Sequence, residues 1–149
     1  MLVLTVGQER SAPTVFDTGQ NVWALTFTAS GEYFLSSQEE KVRVWRVKDG
    51  KQVARMEATH YVYSLAALKN VKWIAAGTKL EVLVWDAETY EQVLKHEEGG
   101  CVFGVDFSPD STQLVAGTNK RPCGWQTGAN THVTGSQRNR SHRDSHPYL

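Results

Sequence analysis

Apolar and polar positions along this chain recur in step. Val82-Leu83-Val84-Trp85 is a short apolar run closed by Asp86, and forty residues earlier Val42-Arg43-Val44-Trp45 has the same form. A second set keeps that step: Val22-Trp23-Ala24-Leu25, Val62-Tyr63-Ser64-Leu65 and Val102-Phe103-Gly104-Val105. Val53, Val93 and Val133 form a third. Apolar residues alternate with small or polar ones inside these runs, the pattern of a strand buried on one face. Turn formers such as Ala29-Ser30-Gly31, Lys48-Asp49-Gly50 and Ser108-Pro109-Asp110-Ser111 separate them. Four short strands per unit at one fixed period predict an all-β array of four-stranded antiparallel sheets repeated as propeller blades.

The period divides the chain. Residues 1–20 are expected to give two outer strands of an incomplete blade, because Leu2 to Thr5 falls on Val42 to Trp45 and Thr14-Val15-Phe16 on Ala54-Arg55-Met56. Residues 21–60 and 61–100 are whole units, and 101–133 is a degenerate or truncated third. In that third unit Arg121-Pro122-Cys123-Gly124-Trp125 makes a poor central strand, since proline cannot donate to a ladder and glycine packs nothing. Whether Trp125 fills the repeat's Trp position stays open on the sequence. Residues 134–149 bury too little apolar surface to offset chain entropy, and a disordered tail is expected.

Charge adds an asymmetry. The 16 basic and 16 acidic residues cancel over the whole chain. Residues 1–118 hold 11 basic against 15 acidic side chains (net −4), and residues 119–149 hold 5 against 1 (net +4). No global field draws the chain toward nucleic acid or an anionic membrane. Cys101 and Cys123 are too few for a disulfide framework, so free thiols in a reducing compartment are expected. The apolar opening Met1-Leu2-Val3-Leu4-Thr5-Val6 lacks a basic flank, and no run approaches the roughly 18 apolar residues of a membrane span. The expected setting is the cytoplasm, with the nucleus as the second choice.

With the repeats in view, residues 14–120 resemble the WD40 β-propeller family, on the shared period, strand order and Trp positions. The resemblance implies a partial propeller of about three blades and a role in binding other proteins on loops and rims. It departs from the family pattern in several places. The Trp-Asp pair is intact only at Trp85-Asp86; Trp45 is followed by Arg46 and Trp125 by Gln126. The Gly-His pair is missing, with His60 and His96 out of its register, and Glu39 or Glu40 stands near the turn Asp. The family's buried His–Asp–Ser/Thr–Trp network is therefore expected to be absent, leaving packing to hold the blades. Trp23 and Trp73 are expected on the same apolar faces as Trp45 and Trp85.

Candidate chemistry is thin. His60, His96 and His132 with Cys101 or Cys123 match no short paired zinc spacing. Cys101 beside His96 lacks a feature in the sequence that would activate it as a nucleophile. Glu39-Glu40 and Glu97-Glu98 read as solvated loop tips, and Gly99-Gly100 with Gly104 precede no helix that could meet a phosphate. No catalytic, metal or cofactor site is expected, and neither a small-molecule substrate nor a membrane.

Other proteins are the expected partners, through self-association or another propeller chain. Tyr61, Tyr63 and Tyr90 are the candidate recognition residues, with Arg43 and Arg46 as a charged rim. Two alternatives remain beside a metal-dependent hydrolase, which a metal analysis that returns no zinc would remove. One is a fragment of a longer array without independent function, suggested by the abrupt change at Arg121. The other is nucleic-acid association through Arg138, Arg140 and Arg143.

Overall fold

The alternating runs become strands, and the turn residues between them take the backbone shapes that hairpins need. The computed structural model describes residues 2–3, 14–15, 21–67, 72–119 and 123–126. All regular elements among the described residues are β-strands. A short antiparallel pair, β1 (Leu2–Val3) and β2 (Thr14–Val15), comes first. β3 (Leu25–Phe27), β4 (Tyr33–Gln38), β5 (Lys41–Arg46) and β6 (Gln52–Glu57) form a four-stranded sheet in chain order. β7 (Val62–Ala67), β8 (Trp73–Thr78), β9 (Glu81–Asp86) and β10 (Gln92–Glu97) form the second. β11 (Val102–Phe107), β12 (Gln113–Thr118) and β13 (Cys123–Gln126) form the third.

The forty-residue step is also a step in strand register. Leu25 pairs with Ser36, Leu65 with Ala76 and Val105 with Ala116. On the next strand Phe34 pairs with Trp45, Ile74 with Trp85 and Leu114 with Trp125. Trp125 therefore stands in the repeat's Trp register. Its segment is a strand after all, because β13 is an edge strand among the described residues and forms ladder pairs on one side only.

The turns repeat as well. Gly31 (φ 70°) and Ser111 (φ 64°) hold one left-handed position, and Gly50 (φ 67°) and Tyr90 (φ 59°) hold another. Glycine takes this backbone freely, whereas a tyrosine there is strained and has to be held by its surroundings.

Two buried clusters lie between sheets. Leu35, Val42, Val44 and Met56 of the first sheet pack on Leu65, Ile74, Ala76, Leu83 and Trp85 of the second. Ala66, Ala75, Val82 and Val84 of the second pack on Val105, Leu114 and Ala116 of the third. Each sheet thus has a leading face toward its predecessor and a trailing face toward its successor. A buried Trp such as Trp85 removes about 150–250 Å² from water, roughly 4–6 kcal/mol at 25 cal/mol per Å². Phe34 and Trp45 stack with centroids 6.2 Å apart on the leading face of the first sheet.

Part of the polar network expected to be missing is present, divided between sheets. In the first, the Trp45 indole Nε1 donates to Ser36 Oγ at 2.8 Å. In the second, buried Glu81 accepts from the Thr59 hydroxyl, pairs with Lys95 Nζ at 2.7 Å and faces His60 Nδ1 at 3.6 Å. A glutamate reaches where an aspartate would fall short, so a histidine outside the family register still meets a carboxylate. Asp86 instead anchors the turn that follows β9. Its Oδ1 accepts the amides of Thr89 and Glu88, 2.9 and 2.8 Å away, and these bonds hold its carboxyl below the usual range.

Candidate functional site

β3, β7 and β11 are the strands that open each sheet, and they stand against one another at the sheet junctions. Ladder pairing skips one residue near the start of two of them, between Val62 and Ser64 and between Val102 and Gly104. The skipped residues are Tyr63 and Phe103. A bulge of this kind leaves a residue out of the ladder and re-aims its side chain. Trp23 occupies the same repeat position just ahead of β3, where its amide and that of Ala24 bond to Ser37.

The three rings form a row. Trp23 meets Tyr63 edge to face at 6.2 Å, and Tyr63 meets Phe103 at 5.5 Å with the planes tilted by 35°. Such contacts are worth about 0.5–1.5 kcal/mol each beyond area burial. Trp23 and Phe103 nevertheless stay 59% and 61% exposed, which is not the condition of core residues. Trp23 therefore does not lie sealed on an apolar face as expected. Trp73 is half-buried beside the second cluster, with Lys72 Nζ 5.0 Å from its ring centre.

The five residues that the sequence suggests for recognition lie apart. Tyr61 is exposed in the loop before β7, at the end where its carbonyl accepts the Lys79 amide. Tyr63 belongs to the aromatic row. Tyr90 sits at the other end of the second sheet, in the β9–β10 turn, half-buried against the first cluster. Burial, with Tyr33 adding to it, pushes the Tyr90 hydroxyl pKa up. Arg46 shares that other end and pairs with Asp49 at 3.0 Å. Arg43 lies half-buried in the middle of β5, and its Nε has no hydrogen-bond partner. Only Tyr61 and Tyr63 fall near one mouth of the opening strands.

Sequence reasoning misses Trp23 and Phe103 as binding residues. A signal is present in the aligned triplet Trp23, Tyr63 and Phe103, but alternation alone cannot tell a bulged ring from a packed one. Among the described residues no group of three or more His, Cys, Asp or Glu is placed to hold a metal ion. His132, Cys123's side chain and the basic tail lie outside the described residues. What the row offers is apolar area and aromatic faces.

Comparison with known proteins agrees with the geometry. Residues 13–46 and 88–125 match the WD40 model, "WD domain, G-beta repeat". None of the curated proteins matches the chain by sequence. Among solved structures, U3-55K superposes with a TM-score of 0.71 at 17% identity, over 80% of this chain and 40% of that one. The RRP9 WD40 repeats give 0.72 at 17% identity, over 78% and 38%. The Myceliophteria thermophila Cps50 (Swd1) β-propeller domain gives 0.70 at 15% identity, over 86% and 42%. The chain thus spans about two fifths of the length of the propeller chains it resembles. With WD40 repeat matches at both ends of its described sheets and this fold throughout, the chain has the WD40 β-propeller fold and carries about three repeat-like sheets of it.

Proposed function

We propose that this chain is a non-catalytic protein-interaction scaffold that presents Trp23, Tyr63 and Phe103, with Tyr61 beside them, to an apolar segment of a partner protein. The observation that carries this reading is the repeated bulge. Tyr63 and Phe103 are turned out of their ladders at one repeat position and meet each other and Trp23 edge-on or tilted, yet Trp23 and Phe103 remain open to water. Large aromatics held by their neighbours lose little entropy on binding, which makes them good anchors.

The test is selection of a peptide library on the purified chain, followed by titration of the enriched peptide against Trp23→Ser and Phe103→Ser. Both positions are exposed, so the thermal midpoint should fall by only a few degrees, from the lost contact with Tyr63, while affinity falls at least tenfold, about 1.4 kcal/mol. Unchanged affinity in both variants would remove the row from the account.

A further inference from the structure

The two outer faces of the array are unfinished in complementary ways. On the leading face of the first sheet Leu25 and Phe27 are 50% and 52% exposed, whereas Leu65 and Val105, the repeat equivalents of Leu25, are buried between sheets. Phe34 and Trp45, farther out on the same face, are buried, so the opening is confined to its inner half. On the trailing face of the third sheet Val115 is 50% exposed, where Leu35 and Ala75 at the same repeat position are sealed.

The junction between the second and third sheets shows what such faces fit. A Cβ on Gly77 would stand 2.6 Å from Val102 Cγ1 and 2.8 Å from the Val102 carbonyl oxygen, so glycine is what lets the next sheet approach. Gly117 is the same residue one repeat later. Among the described residues a Cβ there would meet only the Gly104 carbonyl, 4.0 Å away, so the slot is present and open on that side. Val22 is the repeat equivalent of Val102 and lies on the open side of the first sheet, half-buried where Val62 and Val102 are fully buried. The chain thus carries both an unfilled slot and an unused valine.

Charge follows the same division. Arg43 replaces buried Leu83 on the leading face, and its Nε lacks an acceptor; Asp106 replaces buried Ala66 on the trailing face and is exposed. The two ends are apolar with opposite charges.

From these observations we infer that the occupant of each end is a second copy of this chain, docked head to tail with Val22 of one copy entering beside Gly117 of the other. Contacts of this kind close into a ring or grow into a filament, according to the angle each copy spans. Two copies bring six of the three- or four-stranded sheets, within the four to eight of a closed propeller, and three copies would exceed it. The expected assembly is a two-copy ring.

Light scattering after size-exclusion chromatography on the 149-residue chain reads the mass. The expected wild-type value is twice the chain's 16.7 kDa. Gly117→Leu fills the slot, its Cβ meeting the Gly104 carbonyl at an ordinary 4.0 Å, and Leu25→Asp spoils the opposite face; each alone should halve the mass with circular dichroism unchanged. Mixed in equal amounts, the two variants retain one intact junction and should form a 1:1 complex. A wild-type monomer would overturn the inference, as would a Gly117→Leu dimer, which signals a face meeting its own copy. Docking would also bring Trp23 of one copy to Phe103 of the other, as Tyr63 meets Phe103 within the chain, so peptide binding by the aromatic row is read on the Gly117→Leu chain, where the two proposals separate.

Discussion

Ala75 in the second sheet and Val115 in the third stand at the same repeat position, yet one is sealed from water and the other half open. Leu65 and Leu25 differ in the same way on the opposite face, between the second sheet and the first. The local sequence patterns of these sheets are alike. What separates them is company: the second sheet has a neighbour on both faces, and its burial comes from tertiary contact rather than from its own alternation. The middle repeat should therefore dominate stability, while the outer repeats carry the surfaces left for partners.

The sharpest way to break this comparison is to delete a large side chain on each side of it. Trp85→Ala opens a cavity between the first and second sheets and should cost about 3–5 kcal/mol in urea unfolding. Val115→Ala should cost less than about 1 kcal/mol, because half of that side chain is already in water. Similar losses would mean that the outer face is covered in solution.

The glycine pair comes next in size. Gly77→Ala forces a methyl against Ser64 Oγ and the Val102 backbone, and about 1–3 kcal/mol should be lost. Gly117→Ala should change stability by no more than about 0.5 kcal/mol in the separated chain, since among the described residues only the Gly104 carbonyl is within reach. A penalty at Gly117 as large as that at Gly77 would again mean an occupied slot.

These positions also show how far the sequence can be read. Its period sets the sheets and even the strand register, because pairs such as Ile74 with Trp85 and Leu114 with Trp125 repeat the spacing of the apolar runs. The bulges are not legible: Val62-Tyr63-Ser64 alternates as a regular strand would, and only the ladder shows that Tyr63 is passed over. The Glu81 cluster is hidden for another reason. Thr59, His60, Glu81 and Lys95 lie on a loop, a strand start and an outer strand, and folding, not spacing, brings them together.

The polar links distinguish the sheets by a smaller margin. The first sheet ties Trp45 to Ser36, whereas the second has Ala76 where Ser36 stands. Ser36→Ala leaves a buried indole N–H without its acceptor and should cost about 1–2 kcal/mol, with little volume change to blur the reading. Removing the indole N–H as well, in Trp45→Phe with Ser36→Ala, should cost less than the sum of the two single changes if the bond is what matters.

The smallest effect is one of pH, and it belongs to the second sheet. Burial pushes the Glu81 carboxyl up, but Lys95, the Thr59 hydroxyl and His60 together outweigh it and hold the pKa below its ordinary 4.5. A depressed folded pKa means that the contribution is present above that ordinary value and is lost as pH falls through the lower folded one. Glu81→Gln should therefore be less stable than wild type at neutral pH and lose less on acidification, so that the two thermal midpoints converge as pH falls from 4.5 through the depressed folded value. The gap should be modest, because Lys95 is more than one third exposed and water screens its half of the pair. Parallel curves from neutral to acid pH would show that Glu81 contributes packing alone, and the polar difference between the sheets would then rest on Ser36.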